Sequence, residues 1–427
     1  MNLTTRLNKS SKGLVLVIWA ILFFMSQMGL QAQEVNGPFF EKELLFPVEH
    51  WHNHSSSIVE LPNGDLLVAW FHGSGEKNAD DTVILGARWS KQIKVWSKPF
   101  LLADTPFFPD TNCVLYIDSQ ERLWLFWPTI LANEWHTALM NYRLSTDYQQ
   151  PDGPPAWDWS DNIFLIPKNM ASRTIEVIGP DVDSEESVDG GRSYGGGSAR
   201  ELKVRARRLI TRAQDKYFSR VGWFTRNHPI EIPSGRMIVP MYSDGYSFGI
   251  MALSDDRGKT WFSSEPIVGY GGIQPSVVRR GDGELVAYMR DNGPAPKRMQ
   301  ISYSRDDGVS WTAAADTELP NPGSSCEVIR LKDSSWVLVY NDTESGRSSL
   351  AIALSEDEGH SWKYIRHLER YEAISEERKP SFSYPSVIQA RDGSIHVTYS
   401  YFTSGSPREK TIRHVRLNSE WIKADKD

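Results

Sequence analysis

Apolar residues along this chain fall into many short runs separated by turn signals. Turn-then-strand units recur at Asn63-Gly64, Asp118-Ser119, Ser234-Gly235, Asp282-Gly283, Asp333-Ser334 and Asp392-Gly393, each followed by alternating or continuous β-formers. Asp and Asn side chains bond their own backbone across a tight turn and Gly accepts positive φ, so each unit reads as a hairpin entering a strand. A second repeat, S-x-D-x-G-x-x-W, occurs as Ser254 to Trp261, Ser304 to Trp311 and Ser355 to Trp362. Its period of about 50 residues is that of one propeller blade. In this box the Asp bonds amides across the turn, the Gly supplies positive φ and the Trp tucks between neighbouring sheets. A degenerate copy lies at Ser90 to Trp96, and a stretched one between Ser145 and Trp157.

Six turns predict an all-β, six-bladed β-propeller. The spacing roughly doubles between Ser119 and Ser234, where a Gly/Ser/acidic stretch (Asp181 to Ser198) and a basic helical pattern (Ala199 to Phe218) form an insertion at about 167–220. A seventh blade hidden in that gap is the alternative architecture. Thr411 to Trp421 reads as a strand that closes the ring beside the N-terminal segment.

Composition narrows the class. The chain has 427 residues, 40% hydrophobic and 24% charged, as in ordinary globular proteins. With 47 Lys and Arg against 54 Asp and Glu, its net charge is −7, which excludes a basic field for nucleic acid or an anionic membrane. The 16 Trp, 16 Tyr and 17 Phe suit an all-β protein that stacks sugar rings. Two cysteines, Cys113 and Cys326, are too few for a disulfide framework and leave a single bridge open. Arg6, Lys9 and Lys12 precede the apolar run Gly13 to Met25, and Gln31-Ala32-Gln33 is a plausible cleavage point. Residues 1–33 therefore read as a signal peptide and 34–427 as one propeller domain, periplasmic or secreted, with an uncleaved anchor as the alternative.

The repeated boxes on a six-bladed pattern resemble the sialidase superfamily of Asp-box propellers across nearly all of the mature chain. That resemblance implies a Tyr nucleophile paired with Glu, an Asp acid/base and three Arg holding a substrate carboxylate. By register, Tyr384 matches the nucleophile, Arg290 and Arg347 match two of the arginines, and Asp81, with Asp80 as competitor, matches the acid/base. Two positions depart. His54 stands where the family has the Arg of an R-I-P motif, and Gln274 replaces the Tyr-activating Glu. Glu327 is a possible substitute, set off by one pleat repeat.

Side chains opening the innermost strands face a shared funnel. Here they are His54, Asp110 with Asn112, Arg226 with Asn227 and His228, Gln274, Ser325 with Glu327, and Tyr384. Arginines facing a pocket favour a carboxylate or sulfate, so an acidic oligosaccharide is the expected partner and no cofactor is required. With a uronic acid, the Arg contacts acidify the carbon next to the carboxylate. His54 then acts as base and Tyr384 as acid in a β-elimination, a dehydratase or lyase reaction. Hydrolysis of a terminal acidic sugar, with Asp81 as acid/base and Tyr384 as nucleophile, is the second reading, and a non-catalytic glycan-binding propeller the third. His50, His52 and His54 share one strand face, but successive side chains there are about 6–7 Å apart, too far to share one Zn²⁺ easily, so no metal is expected.

Overall fold

The computed structural model describes residues 37–183, 199–372 and 379–424. They form six antiparallel sheets, each a propeller blade. The innermost strands are His52–Glu60 in blade 1, Val114–Ile117 in blade 2 and Phe224–Thr225 with Ile230–Glu231 in blade 3. Gly272–Arg279, Glu327–Arg330 and Ser381–Gln389 are innermost in blades 4, 5 and 6. All six hairpin signals fall between the innermost strand of a blade and its second strand. The second strands of blades 3 and 4, for example, are Met237–Ser243 and Leu285–Asp291.

Period-two alternation builds the core. In Leu285–Asp291, Leu285, Ala287 and Met289 join a buried cluster shared with blade 3, while Val286 and Tyr288 join one shared with blade 5. The same division gives one apolar cluster at each of the six blade interfaces. Continuous apolar runs therefore mark strands buried on both faces.

Blade 6 closes the ring. Its outermost strand is Phe40–Leu44, paired antiparallel with Lys410–Leu417 so that Phe40 lies opposite Leu417. This satisfies an edge that would otherwise be open. The expected closing strand stops at Leu417, short of Trp421. Asn418 then caps the helix Ser419–Lys423, its side chain accepting from Trp421 N, and Trp421 stacks on Phe40 with ring centroids 4.5 Å apart.

The blade count is six. Between Asn162 and Phe224 the described residues form helices instead of a seventh sheet, among them Met170–Ile178 and Ala199–Gln214. Their buried residues Met170, Ile178, Ala206 and Leu209 extend the cluster between blades 2 and 3. Asp215 ends the basic helical pattern by capping a separate turn, Lys216–Arg220. The Gly/Ser/acidic stretch lies outside the described residues from 184 to 198, as does the N-terminal pattern over residues 1–33.

The three Asp boxes share one geometry. Asp256 Oδ1 accepts from Lys259 N and Thr260 N, and Asp306 and Asp357 accept likewise from Ser310 N and Ser361 N. Such bonds hold the Asp256 and Asp357 carboxyls at about 2, Asp256 chiefly through Thr260 and Asp357 through Ser361 and Ser355 against burial, which works to raise it. Gly258 has φ +82°, and a Cβ there would stand 2.2 Å from Trp124 of the preceding blade, so only glycine fits. Trp261 packs edge-on against Trp124, and Trp311 is buried at 3% exposure in the cluster between blades 3 and 4. Cys113 and Cys326 are both free, buried in different interface clusters.

Candidate active site

The innermost strands all start at the same end of the propeller axis, and the second strands finish there. Three innermost strands carry a register shift at that end, between His54 and Ser57, Ile273 and Ser276, and Ser383 and Ser386. Within these shifts Ser55, Gln274 and Tyr384 have φ of 59°, 56° and 57°, and Asn112 of blade 2 has φ 40°. Non-glycine residues in the left-handed region cost free energy and persist where surrounding contacts hold them. Here each bulge interrupts the ladder where the strand reaches the axial cavity, and His54, Gln274, Tyr384 and Asn112 line it.

That cavity holds about 350 Å³. Its centre is the Tyr384 phenol. Arg290 donates to Tyr384 Oη at 2.9 Å and Gln274 Nε2 donates to it at 3.4 Å. The guanidinium of Arg347 lies 5.5 Å from the ring centroid. Both hydrogen bonds at the phenol among the described residues are donated to it, so its oxygen is the acceptor in each. The His54 ring lies 4.3 Å from the Tyr384 ring, and its Nδ1 is 2.7 Å from Ser400 Oγ. Burial, reinforced by the neighbouring His52 ring and the positive charges of Arg347, Arg226 and Arg290, holds the His54 imidazole well below its usual range, so it is neutral.

The sequence reading missed several lining residues. Glu76 enters the cavity from the loop between Gly73 and Thr82, with His52 Nε2 3.0 Å from its Oε1. Burial works to raise its carboxyl, but the nearby His52 ring and the charges of Arg347 and Arg290 hold it low. Asp244 and Tyr242 come from the end of the second strand of blade 3. Burial raises the Asp244 carboxyl against the pull of Arg290, and burial raises the Tyr242 phenol well above its ordinary range. Tyr242 Oη accepts from Asn112 Nδ2 at 3.1 Å and Gln274 Nε2 at 2.9 Å. The signal for Tyr242 and Asp244 is their place at the end of a second strand, the position that Arg290 takes one blade later.

Other expected residues stand elsewhere. Asp81 is exposed and turned back on its loop, accepting from Ser74 N at 3.1 Å and Ser74 Oγ at 2.8 Å, so Glu76 and not Asp81 is the acid this loop sends into the cavity. Asp80 holds Asn133 Nδ2 at 2.9 Å. Asp110 is buried against Thr129 and Thr105, its carboxyl pushed up to about 6 by that burial.

Arg226, His228 and Glu327 belong to a plug beneath the cavity. Arg226, 1% exposed, donates through Nη2 to the carbonyls of Tyr384 at 2.6 Å and Pro385 at 3.1 Å. Glu327 Oε1 accepts from His228 N at 2.9 Å and lies 2.8 Å from His228 Nδ1, while Oε2 accepts from Val387 N at 2.7 Å. Burial raises the Glu327 carboxyl, but His228 and Arg226 outweigh it and hold it low. With both oxygens engaged, Glu327 is not hydrogen-bonded to the Tyr384 phenol. It occupies the blade register of Ser57, Ser276 and Ser386, whose hydroxyls accept from Leu115 N, Val328 N and Ile58 N of adjacent blades. Asn227 ties blade 3 to the carbonyls of Gln274 and Pro275, and Ser325 is buried beside Glu327. The histidines do not converge on one point: His50 is exposed against Trp51, whereas His54 faces the cavity.

The BNR repeat-like domain family matches residues 185–397. No curated protein matches the chain by sequence. Among solved structures, a protein of unknown function from Dyadobacter fermentans superposes with TM-score 0.62 at 15% identity, covering 90% of this chain and 100% of that one. A leech intramolecular trans-sialidase complexed with 2,7-anhydro-Neu5Ac gives TM-score 0.61 at 13% identity, covering 87% of this chain and 69% of that one. The Trypanosoma rangeli sialidase in complex with the inhibitor DANA gives TM-score 0.61 at 11% identity, covering 90% and 60%. At such identities these likenesses describe the fold.

Proposed function

From the premise that this chain is a sialidase-like BNR-repeat propeller, we propose that it is a secreted carbohydrate-active enzyme that performs β-elimination on acidic oligosaccharides at a terminal uronate. One observation carries the reaction type: among the described residues the Tyr384 phenol is contacted by donors, beside a neutral His54, and no carboxylate is hydrogen-bonded to it. A phenol so placed gives its proton outward, and a neutral imidazole accepts one.

The substrate carboxylate pairs with Arg290 and Arg347, which stabilise the charge that develops as the neighbouring carbon loses its proton. Its arrival also cancels part of the positive field on His54, raising that imidazole's basicity when substrate is bound. The C5 proton passes to His54, the C4–O bond breaks, Tyr384 protonates the departing oxygen and a C4–C5 double bond forms. Arg290 supports the phenolate until solvent exchange resets both groups. A free 4-hydroxyl leaves as water, making the enzyme a dehydratase; a 4-linked sugar makes it a lyase. A 350 Å³ cavity floored by the plug accommodates a chain end.

Glu76 favours a second reading. It is a carboxylate facing the cavity from the expected loop, placed to serve as acid/base for hydrolysis with Tyr384 as nucleophile, and solved neighbours include sialidases. Incubation of the protein with uronate oligosaccharides and with a sialoside, followed by ultraviolet absorbance near the ~232 nm of a conjugated unsaturated uronate and by mass spectrometry, separates the two. Elimination yields a conjugated unsaturated uronate; released sugar without new absorbance overturns it in favour of hydrolysis.

A further inference from the structure

The plug divides the propeller axis into two chambers. Below it, where the innermost strands end, lies a second cavity of about 560 Å³, larger than the one containing Tyr384. Its walls are aliphatic, including Val59, Ile117, Val277, Ile329 and Ile388. Its floor is the His228–Glu327 pair, whose polar atoms are satisfied within the protein.

Charge at the mouth is lopsided. Blades 4, 5 and 6 contribute Arg279, Arg330, Lys332 and Arg391, and among the described residues none of these forms an ion pair. Their bonds go to neutral acceptors: Arg330 to Ser334 Oγ at 2.6 Å, Lys332 to the Ala390 and Arg391 carbonyls at 3.1 and 2.9 Å, and Arg391 to the Pro62 carbonyl. Arg279 Nε is buried without a partner. The two carboxylates at the mouth are already engaged by backbone amides, Glu231 by Ser119 N and Glu60 by Arg391 N, each at 2.7 Å. Four cations outside any ion pair outnumber the two carboxylates around an apolar well and, on a chain of net charge −7, form a local anion-attracting field.

We propose that this lower chamber is a binding site for an organic anion with an apolar body, its tail in the aliphatic well and its headgroup against Arg279, Arg330, Lys332 and Arg391. Burial of the tail supplies the gain in affinity, and the rim supplies selectivity for negative charge. The site is separate from the Tyr384 cavity and independent of the reaction assigned to it.

Decanoate is the probe, titrated into the full chain by calorimetry, with octyl glucoside as a neutral-headed control and sulfate as a tailless one. One decanoate should bind per chain, more tightly than either control. The double substitution Arg330→Glu, Lys332→Glu, on exposed positions, should weaken it by about tenfold or more while leaving octyl glucoside binding and the melting temperature of the free protein unchanged. The absence of decanoate binding overturns the proposal. So does equal affinity for octyl glucoside or sulfate, or unchanged decanoate affinity in the double variant.

Discussion

Tyr384 concentrates the chemistry because its backbone is bulged into a left-handed conformation and its phenol meets donors among the described residues. Tyr384→Phe keeps the ring between Arg226 and Arg347 and removes the proton. We expect kcat to fall by about 10²–10⁴ with little change in KM or melting temperature; a fully active variant would remove Tyr384 from the reaction. Gln274→Glu distinguishes the two proposed reactions. A carboxylate 3.4 Å from the phenol would engage its proton, so elimination should slow, whereas a nucleophilic Tyr would be activated and hydrolysis should rise. Candidate residues at this scale were legible where a strand opens on the axis, as for His54, Gln274 and Tyr384. Glu76 was not, because Glu76, Asp80 and Asp81 share one loop and only its folded path decides which acid turns inward.

Among the elements, the innermost strands of blades 1, 4, 5 and 6 are each stitched to the next blade by one side chain, and blade 5 uses a carboxylate where blades 1, 4 and 6 use serine. Its charge also offsets that of the buried Arg226, which grips the Tyr384 carbonyl. Glu327→Gln leaves that guanidinium uncompensated, and chemical denaturation should show a loss of about 3–5 kcal/mol. Arg226→Lys keeps the charge but replaces the guanidinium whose Nη2 bridges two carbonyls with a shorter ammonium; kcat should drop more than KM changes, and an unaltered kcat would make Arg226 a purely structural group. Trp311→Ala empties a blade interface and should cost about 3–5 kcal/mol on the same assay. The Asp boxes and hairpins were readable in advance because each is closed by bonds among residues a few positions apart. The plug was not: Arg226 to Tyr384 and Glu327 to His228 span more than one blade.

Across the whole molecule, buried imidazoles set the response to acid. His396 is held at about 3 by burial, with the neighbouring His414 ring adding to it. The unfolded residue takes up a proton near pH 6.5 and the native one does not, so this contribution is intact above that value and declines as pH falls toward 3. At pH 5 the loss is about 2 kcal/mol from this group, and His396→Gln should be less sensitive to acid by that amount between pH 7 and 5 in denaturation experiments. Asp110, raised to about 6, acts in the opposite sense, gaining stability as pH falls below that value, so the single substitution and not the overall curve is the readout.

The sequence by itself determined what is local or periodic: the hairpins, the boxes, six repeats and hence the propeller, and the set of residues that open its innermost strands. Tertiary structure alone decided between that helical insertion and a seventh blade, that Phe40–Leu44 is the strand pairing with the closing one, and that Arg226, His228 and Glu327 floor the site instead of lining it. The physical reason is distance along the chain. A turn closes within a few residues and leaves a mark at fixed spacing, whereas a cavity on the axis is bounded by six strands that meet only when the ring closes.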